Sequence, residues 1–282
     1  MPRLRLSGGE LDGLDLHYTV TGRGPATLLI HGLGGFAESW RHTIGALAPH
    51  GAVIAVDLPG FGQSGKPRRG YGLAFFATAV DGLLRALGVE RVRLVGHSLG
   101  GGVAVAFALS SPDRVERLAL LAPAVPGFPL RPSLVYRLMA LPGVGEVIAR
   151  LITPGICATA LDRCFVAADP AEVAFLVGHQ YGARATPEGR TAYLATLRGV
   201  RGDFAARAPA YRAALAQWSR PALVIHGRQD PVVPIAHAAA VVRGLRRAEG
   251  RWLDRCGHFP QIEHATAVNA WLGEFLFAGA GR

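Results

Sequence analysis

The stretch Val92-Arg93-Leu94-Val95-Gly96-His97-Ser98-Leu99-Gly100-Gly101-Gly102-Val103-Ala104-Val105 constrains this chain more than any other. A short run of valine and leucine, suited to a buried strand, passes through Gly-X-Ser-X-Gly straight into an alanine- and valine-rich helical pattern. So abrupt a turn tolerates only small neighbours, hence Gly96, Gly100 and Gly101 or Gly102 around the serine. Ser98 is expected at the carboxyl edge of a parallel sheet, within reach of a base and a substrate, with a helix N-terminus facing developing negative charge. The pentapeptide alone can arise by chance in a chain with 37 glycines. Its position between a buried strand and a helix is what points to a nucleophile.

With 282 residues, half of them hydrophobic, the chain can bury a substantial core, and disorder is excluded. Glycine, proline or arginine interrupts every apolar run before bilayer length, and the first ten residues carry no apolar signal core. The expectation is a cytoplasmic protein without membrane insertion. A net charge of +10 invites a nucleic-acid reading. Lys66 is the only lysine, however, and the arginines are scattered singly without interleaved aromatics, so no nucleic-acid partner is expected. Cys157, Cys164 and Cys256 are odd in number and lack metal spacing, and the ten histidines show no paired-ligand spacing. Reduced structural thiols, no metal and no cofactor are the expectation.

In chain order, Leu14–Val20 alternates like a half-exposed strand, and Thr27–Ile30 is continuous apolar sequence suited to a central strand. That strand ends in His31-Gly32-Leu33-Gly34-Gly35, a cluster whose backbone N–H groups can face a ligand closely. A helix from Trp40 to Ala48, a strand over Ala52–Asp57, a helix from Tyr71 to Leu87 and a strand over Val115–Ala122 follow. Together His31-Gly32, Asp57-Leu58-Pro59-Gly60-Phe61-Gly62-Gln63-Ser64 and the Ser98 elbow resemble the capped α/β-hydrolase superfamily, in that family's order. The resemblance implies a mostly parallel sheet flanked by helices and an oxyanion hole made by the backbone N–H groups of Leu33 and Leu99. Asp57 reads as a loop-fixing residue. Some relatives place their acid after the strand that follows the elbow helix; here Ala122-Pro123-Ala124 closes that option.

Residues 125–218 break into short helical stretches without a strand-like run, an expected helical cap between core segments 1–124 and 219–282. Its helices are expected over Leu134–Ala140, Val144–Leu151, Ala171–Gly182 and Thr186–Arg201. Val135–Leu141 is apolar nearly all round, either for packing between cap helices or to line an apolar substrate pocket. Phe128, Leu134, Leu138, Met139, Phe165 and Phe175 are the candidates for that pocket.

In Pro221-Ala222-Leu223-Val224-Ile225-His226-Gly227-Arg228-Gln229-Asp230-Pro231-Val232-Val233-Pro234 a buried strand ends in a polar loop, where a carboxylate can meet a base on the neighbouring strand. Asp230 matches the family's Gly-X-X-Asp-X-X-X-Pro, and His258 in Cys256-Gly257-His258-Phe259-Pro260 is the expected base. A closing helix is expected from Glu263 to Phe277. The order Ser98, Asp230, His258 is similar to that of α/β-hydrolases. It implies a serine carboxylesterase acting on small to medium, mainly apolar esters through an acyl-enzyme. A serine at the elbow argues against relatives that attack with a carboxylate. Two alternatives stay open. One is a carbon–carbon bond hydrolase of meta-cleavage-product type, with Arg137 or Arg184 receiving a carboxylate. Its usual Gly-Asn-Ser elbow and tryptophan after the histidine are replaced here by Gly96-His97-Ser98 and Phe259. The other is a hydrolase-like receptor or regulator with little turnover. Oligomeric state is not legible.

Overall fold

The runs of valine, leucine and isoleucine pair into a single sheet. The computed structural model describes residues 3–68 and 70–279. Its strands are β1 (Arg3–Arg5), β2 (Asp15–Thr21), β3 (Ala26–Ile30), β4 (Ala52–Val56), β5 (Val92–His97), β6 (Val115–Leu121), β7 (Ala222–Gly227) and β8 (Ala248–Leu253). They lie in the order β1-β2-β4-β3-β5-β6-β7-β8, antiparallel at β1–β2 and β2–β4 and parallel elsewhere. The central strands β3, β5 and β7 are buried at every position, as expected where helices cover both faces.

Successive side chains supply the two faces. Leu94, Leu118, Leu120 and Val224 join one apolar core with α2 (Leu73–Ala86), α3 (Leu99–Ser110) and a later helix, α10 (Ile235–Gly244). Val95, Ala119, Leu121 and Ile225 join the opposite core with α1 (Arg41–Leu47) and the closing helix α12 (Ala265–Phe277). The glycine- and alanine-rich α3 is buried almost all round, packed between the sheet and α2. Between β6 and β7 run six helices: α4 (Leu134–Met139), α5 (Val144–Leu151), α6 (Pro154–Asp162), α7 (Pro170–Ala185), α8 (Pro187–Ala206) and α9 (Ala208–Ala216). This insertion, called the cap below, covers the carboxyl edge of the sheet. One tie is the Asp203 carboxylate of α8, which accepts the first N–H of α2, from Leu73, at 2.7 Å.

Several boundaries differ from the sequence expectation. α6 and α9 were not expected; α6 opens on Pro154 and α9 carries Pro209 as its second residue, and in the first turn the missing N–H costs nothing. Tyr71 precedes its helix in a left-handed conformation, φ 68°, and the helix begins at Leu73. The closing helix is divided at His264, leaving a short α11 (Pro260–Glu263) ahead of α12. No single helix among the described residues is long and apolar enough to cross a membrane.

Asp57, at the end of β4, ties the early loops together. Its fully buried carboxylate accepts the N–H groups of Ala37 at 2.6 Å and Gln63 at 2.8 Å, and Nδ1 of the equally buried His17 at 2.8 Å. Asp57→Ala is expected to lower stability by about 3 kcal/mol, because three donors lose their acceptor in a dry interior. A urea denaturation midpoint unchanged from wild type would remove this network from the account of stability.

Candidate active site

Ser98 lies between the last residue of β5 and the first of α3 with φ 54° and ψ −119°, a conformation that costs a non-glycine residue about 1–3 kcal/mol. The surrounding backbone holds it there. Ser98 N–H donates to the Leu121 carbonyl at 2.9 Å, and the Ser98 carbonyl accepts from Gly101 at 2.9 Å and Ala124 at 3.0 Å. A β-carbon at Gly96 would collide with the Gly100 carbonyl, and one at Gly100 with the carbonyls of Ile30 and His31. The turn is therefore possible only with glycine at those two positions.

Ser98 Oγ is 3.0 Å from Nε2 of His258, and His258 Nδ1 is 2.8 Å from Asp230 Oδ2. An ionised carboxylate only accepts, so Nδ1–H donates to Asp230 and Nε2 is left to accept the serine proton. The other Asp230 oxygen accepts the N–H groups of Val232 at 2.8 Å and Val233 at 2.9 Å. Burial alone would raise the Asp230 carboxyl, but the charge and hydrogen bond of His258, with His226 and the Val233 N–H, outweigh it and hold the group below its ordinary value. His226 Nε2–H is given to the Val233 carbonyl at 2.8 Å, and burial lowers that imidazole, keeping it neutral beside the acid.

The turn after β3 lies against this group. His31 Nδ1–H donates to the Gly32 carbonyl at 2.7 Å, while its Nε2 accepts Leu58 N–H at 2.9 Å. Both roles require the neutral ring, and burial lowers its pKa accordingly. Gly32 backs directly onto the Ser98 side chain and the His97 ring. The N–H groups of Leu33 and Leu99 have no acceptor among the described residues, and Leu99 N–H is the first of α3. His97 donates Nε2–H to the His258 carbonyl at 2.7 Å. Burial and the neighbouring His258 push its pKa down to about 3, which keeps the ring neutral.

The cap holds the other side of the His258 loop. His258 N–H donates to the Cys164 carbonyl at 2.7 Å. Glu263 accepts Gly257 N–H through one oxygen and Val166 N–H through the other, both at 2.8 Å. Phe165 stacks on Phe259 with centroids 4.8 Å apart, which places that pocket candidate beside His258. Sequence reasoning missed this strap, since its main-chain bonds leave no mark in residue type. Burial also raises the thiols around it, Cys164 up to about 12 and Cys256 further, and all three cysteines are free.

The remaining pocket candidates lie elsewhere. Phe175 packs against Phe36 and His179 with the Arg41 guanidinium 3.7 Å over its ring, and Met139 lines a small cavity within the cap with Tyr193 and Arg184. Phe128 meets His237 edge-on at 6.3 Å, at the base of the cap. Leu134 and Leu138 are corrections: both stand exposed on α4, because its inward face is supplied by Met139 and the half-buried Tyr136. Arg137 is likewise exposed. Gln180 and Tyr193 close over Gly34 in the turn after β3. A cleft of about 620 Å³ opens nearby between cap and core, walled by Phe36, Gln63, Lys66, His179 and Glu188 among others. Neither cavity is walled by Ser98, Asp230 or His258, and all three side chains are buried. No cluster of three or more metal-ligating side chains occurs among the described residues.

Residues 25–154 match the family model described as alpha/beta hydrolase fold. The chain is 32% identical over 268 residues to a 2-hydroxymuconate semialdehyde hydrolase of Pseudomonas sp. strain CF600, covering 94% of this chain and 91% of that one. Among solved structures, the 2-hydroxy-6-oxo-6-phenylhexa-2,4-dienoate hydrolase of Rhodococcus sp. strain RHA1 superposes with a TM-score of 0.81 at 28% identity, covering 98% of each chain. A thermophilic esterase from Thermogutta terrifontis gives 0.81 at 25% identity, again covering 98% of each.

Because the Asp230 carboxyl is held below its ordinary value in the folded chain, it contributes stability that is complete above that value and lost as the pH falls through the native one. Asp230→Asn should therefore lose less stability than wild type between pH 5 and pH 3 (roughly the carboxylate range). Equal losses in chemical denaturation at the two pH values would count against an ionised Asp230 in the folded state.

Proposed function

Since the chain belongs to the α/β-hydrolase fold family, we propose that it is a serine hydrolase cleaving small to medium, mainly apolar esters through an acyl-enzyme on Ser98. The observation that carries the reading is the continuous path from Asp230 through His258 to Ser98, 2.8 Å and 3.0 Å long at its two joints. His258 Nε2 takes the proton as Ser98 Oγ bonds to the ester carbon, and the carbonyl electron pair moves to oxygen. The N–H groups of Leu33 and Leu99 receive that oxyanion, each donor contributing about 2.7–4 kcal/mol to the transition state. Collapse expels the alcohol, which takes the proton from His258 and leaves the acyl group on Ser98. His258 then deprotonates water, the water attacks the acyl carbon, and release of the acid restores the serine. Asp230 keeps the ring in its tautomer and balances the imidazolium. Supporting an ester is the neutral roof over the turn, formed by the Gln180 amide and the Tyr193 ring. The Arg184 guanidinium is occupied behind it, 4.7 Å from the centre of the Tyr193 ring and 3.1 Å from Cys157 Sγ.

A second reading is a carbon–carbon bond hydrolase of meta-cleavage-product type. The names of the Pseudomonas and Rhodococcus relatives favour it. It would require Arg184 to leave Tyr193 and meet a substrate carboxylate, since Arg137 lies on the outside of the cap.

A p-nitrophenyl ester series from acetate to long acyl chains, run beside a 2-hydroxy-6-oxohexa-2,4-dienoate, separates the two. The ester reading expects turnover of short and medium esters, abolished in Ser98→Ala, with Arg184→Gln altering kcat/KM less than about threefold. Faster turnover of the dienoate, with Arg184→Gln raising its KM selectively, would instead establish the second reading. In the ester assay Asp230→Asn should cut kcat by about ten-thousandfold with KM little changed; a rate near wild type would remove Asp230 from the mechanism.

A further inference from the structure

Ten large hydrophobic residues stand exposed among the described residues, and nine of them fall between Leu134 and Val166; Val20 is the other. The concentration is structural. On α5, Ile148 and Ala149 pack inward, while Val144, Val147 and Leu151 form a second apolar stripe on the solvent side, with Leu151 66% exposed. A surface helix ordinarily turns charge outward there. α4, packed on α5, adds Leu134 and Val135 to the same exposed set. α6 leaves α5 through a 97° bend and adds Ile156, so that Leu151 and Ile156 flank a protruding apolar corner.

The charges in this segment say what covers it. Arg131, Arg137, Arg150 and Arg163 are all exposed and form no ion pair among the described residues. Of the two acids in the segment, Glu146 is engaged by Arg198 and by Gly143 N–H, leaving only Asp162. A second copy of the chain docked on this face would bring two sets of guanidinium groups together. A neutral apolar partner would leave them unused. We propose that the α4–α6 face is a docking surface for an anionic phospholipid bilayer, with the apolar corner lying in the headgroup–acyl boundary and the arginines among the headgroup phosphates. With eight residues in α5 and nine in α6, neither helix reaches bilayer length by itself, and the attachment proposed is interfacial. The inference goes beyond the hydrolase reading and stands whatever bond Ser98 cleaves.

The test is flotation of the full chain with vesicles of phosphatidylcholine alone or with phosphatidylglycerol. Wild type is expected to float with phosphatidylglycerol vesicles and to be released by salt. Val147→Glu with Leu151→Glu should lower the bound fraction by about tenfold or more, and Arg137→Glu by about fivefold. Val20→Glu should leave binding intact, and hydrolysis of a soluble ester should be unchanged in the Val147/Leu151 variant, which shows that it is folded. Wild type that stays behind with anionic vesicles overturns the proposal, as does binding that the Val147/Leu151 variant retains. A dimer in sedimentation equilibrium that this variant dissociates, without vesicle binding by wild type, would assign the face to a second copy.

Discussion

The backbone conformation at Ser98 is the constraint on which the rest of the structure depends. A serine with φ 54° is held only because three separate segments bond to its main chain or leave it room. β6 supplies the Leu121 carbonyl, the segment after it the Ala124 N–H, and the end of β3 the space that glycine at position 100 keeps free. These are the segments that bring the other components in. The end of β3 runs into the Gly32-Leu33-Gly34 turn, and the chain beyond Ala124 leads out into the cap. The strain of the elbow and the assembly of its surroundings are therefore one structural event, and loosening any of the three segments would release both.

A histidine beside a carboxylate is not in itself a catalytic arrangement, and the molecule contains its own contrast. His17 and Asp57 form a buried pair at 2.8 Å, the same separation as His258 and Asp230. His17 Nε2, however, has no partner among the described residues, and Asp57 is occupied by loop N–H groups. His258 differs in what lies at its far nitrogen: a hydroxyl presented by the one strained residue of the elbow. Around it His31, His97 and His226 are kept neutral by burial, so each can serve as a fixed donor without placing charge near His258. Chemistry is assigned by the third group, not by the imidazole–carboxylate pair.

The sheet was legible in the sequence because buried parallel strands are written as continuous apolar runs, and the elbow because glycine is demanded at fixed spacing around Ser98. Ser98, Asp230 and His258 stood out as candidates for the same reason: each stands where such a run meets polar sequence, at the sheet's carboxyl edge. The cap was less legible. The short helices α6 and α9, each with a proline in its first turn, did not stand out among the prolines and glycines of this segment. Leu134 and Leu138 pointed to a pocket because α4 is apolar on most sides, and composition does not say which side meets the core. Likewise the Cys164 carbonyl and the Glu263 carboxylate that hold the His258 loop are distant in sequence from one another, and a main-chain acceptor carries no residue identity.

That strap has a mechanical consequence. His258 is positioned from the sheet side by Asp230 and by His97, and from the cap side by the Cys164 carbonyl, with Phe165 stacked on the next residue. Ser98 is only 9% exposed beneath this arrangement, so the residues packed around it govern access to its hydroxyl. Movement through residues 164–166 would break the His258 N–H bond and free the loop that carries His258. Movement on the α7 side, where Gln180 covers Gly34 and the cleft beside Phe36 and His179 already opens, leaves that bond intact. The geometry thus favours entry from the α7 side, with His258 held in register by its bonds to Asp230 and the Cys164 carbonyl.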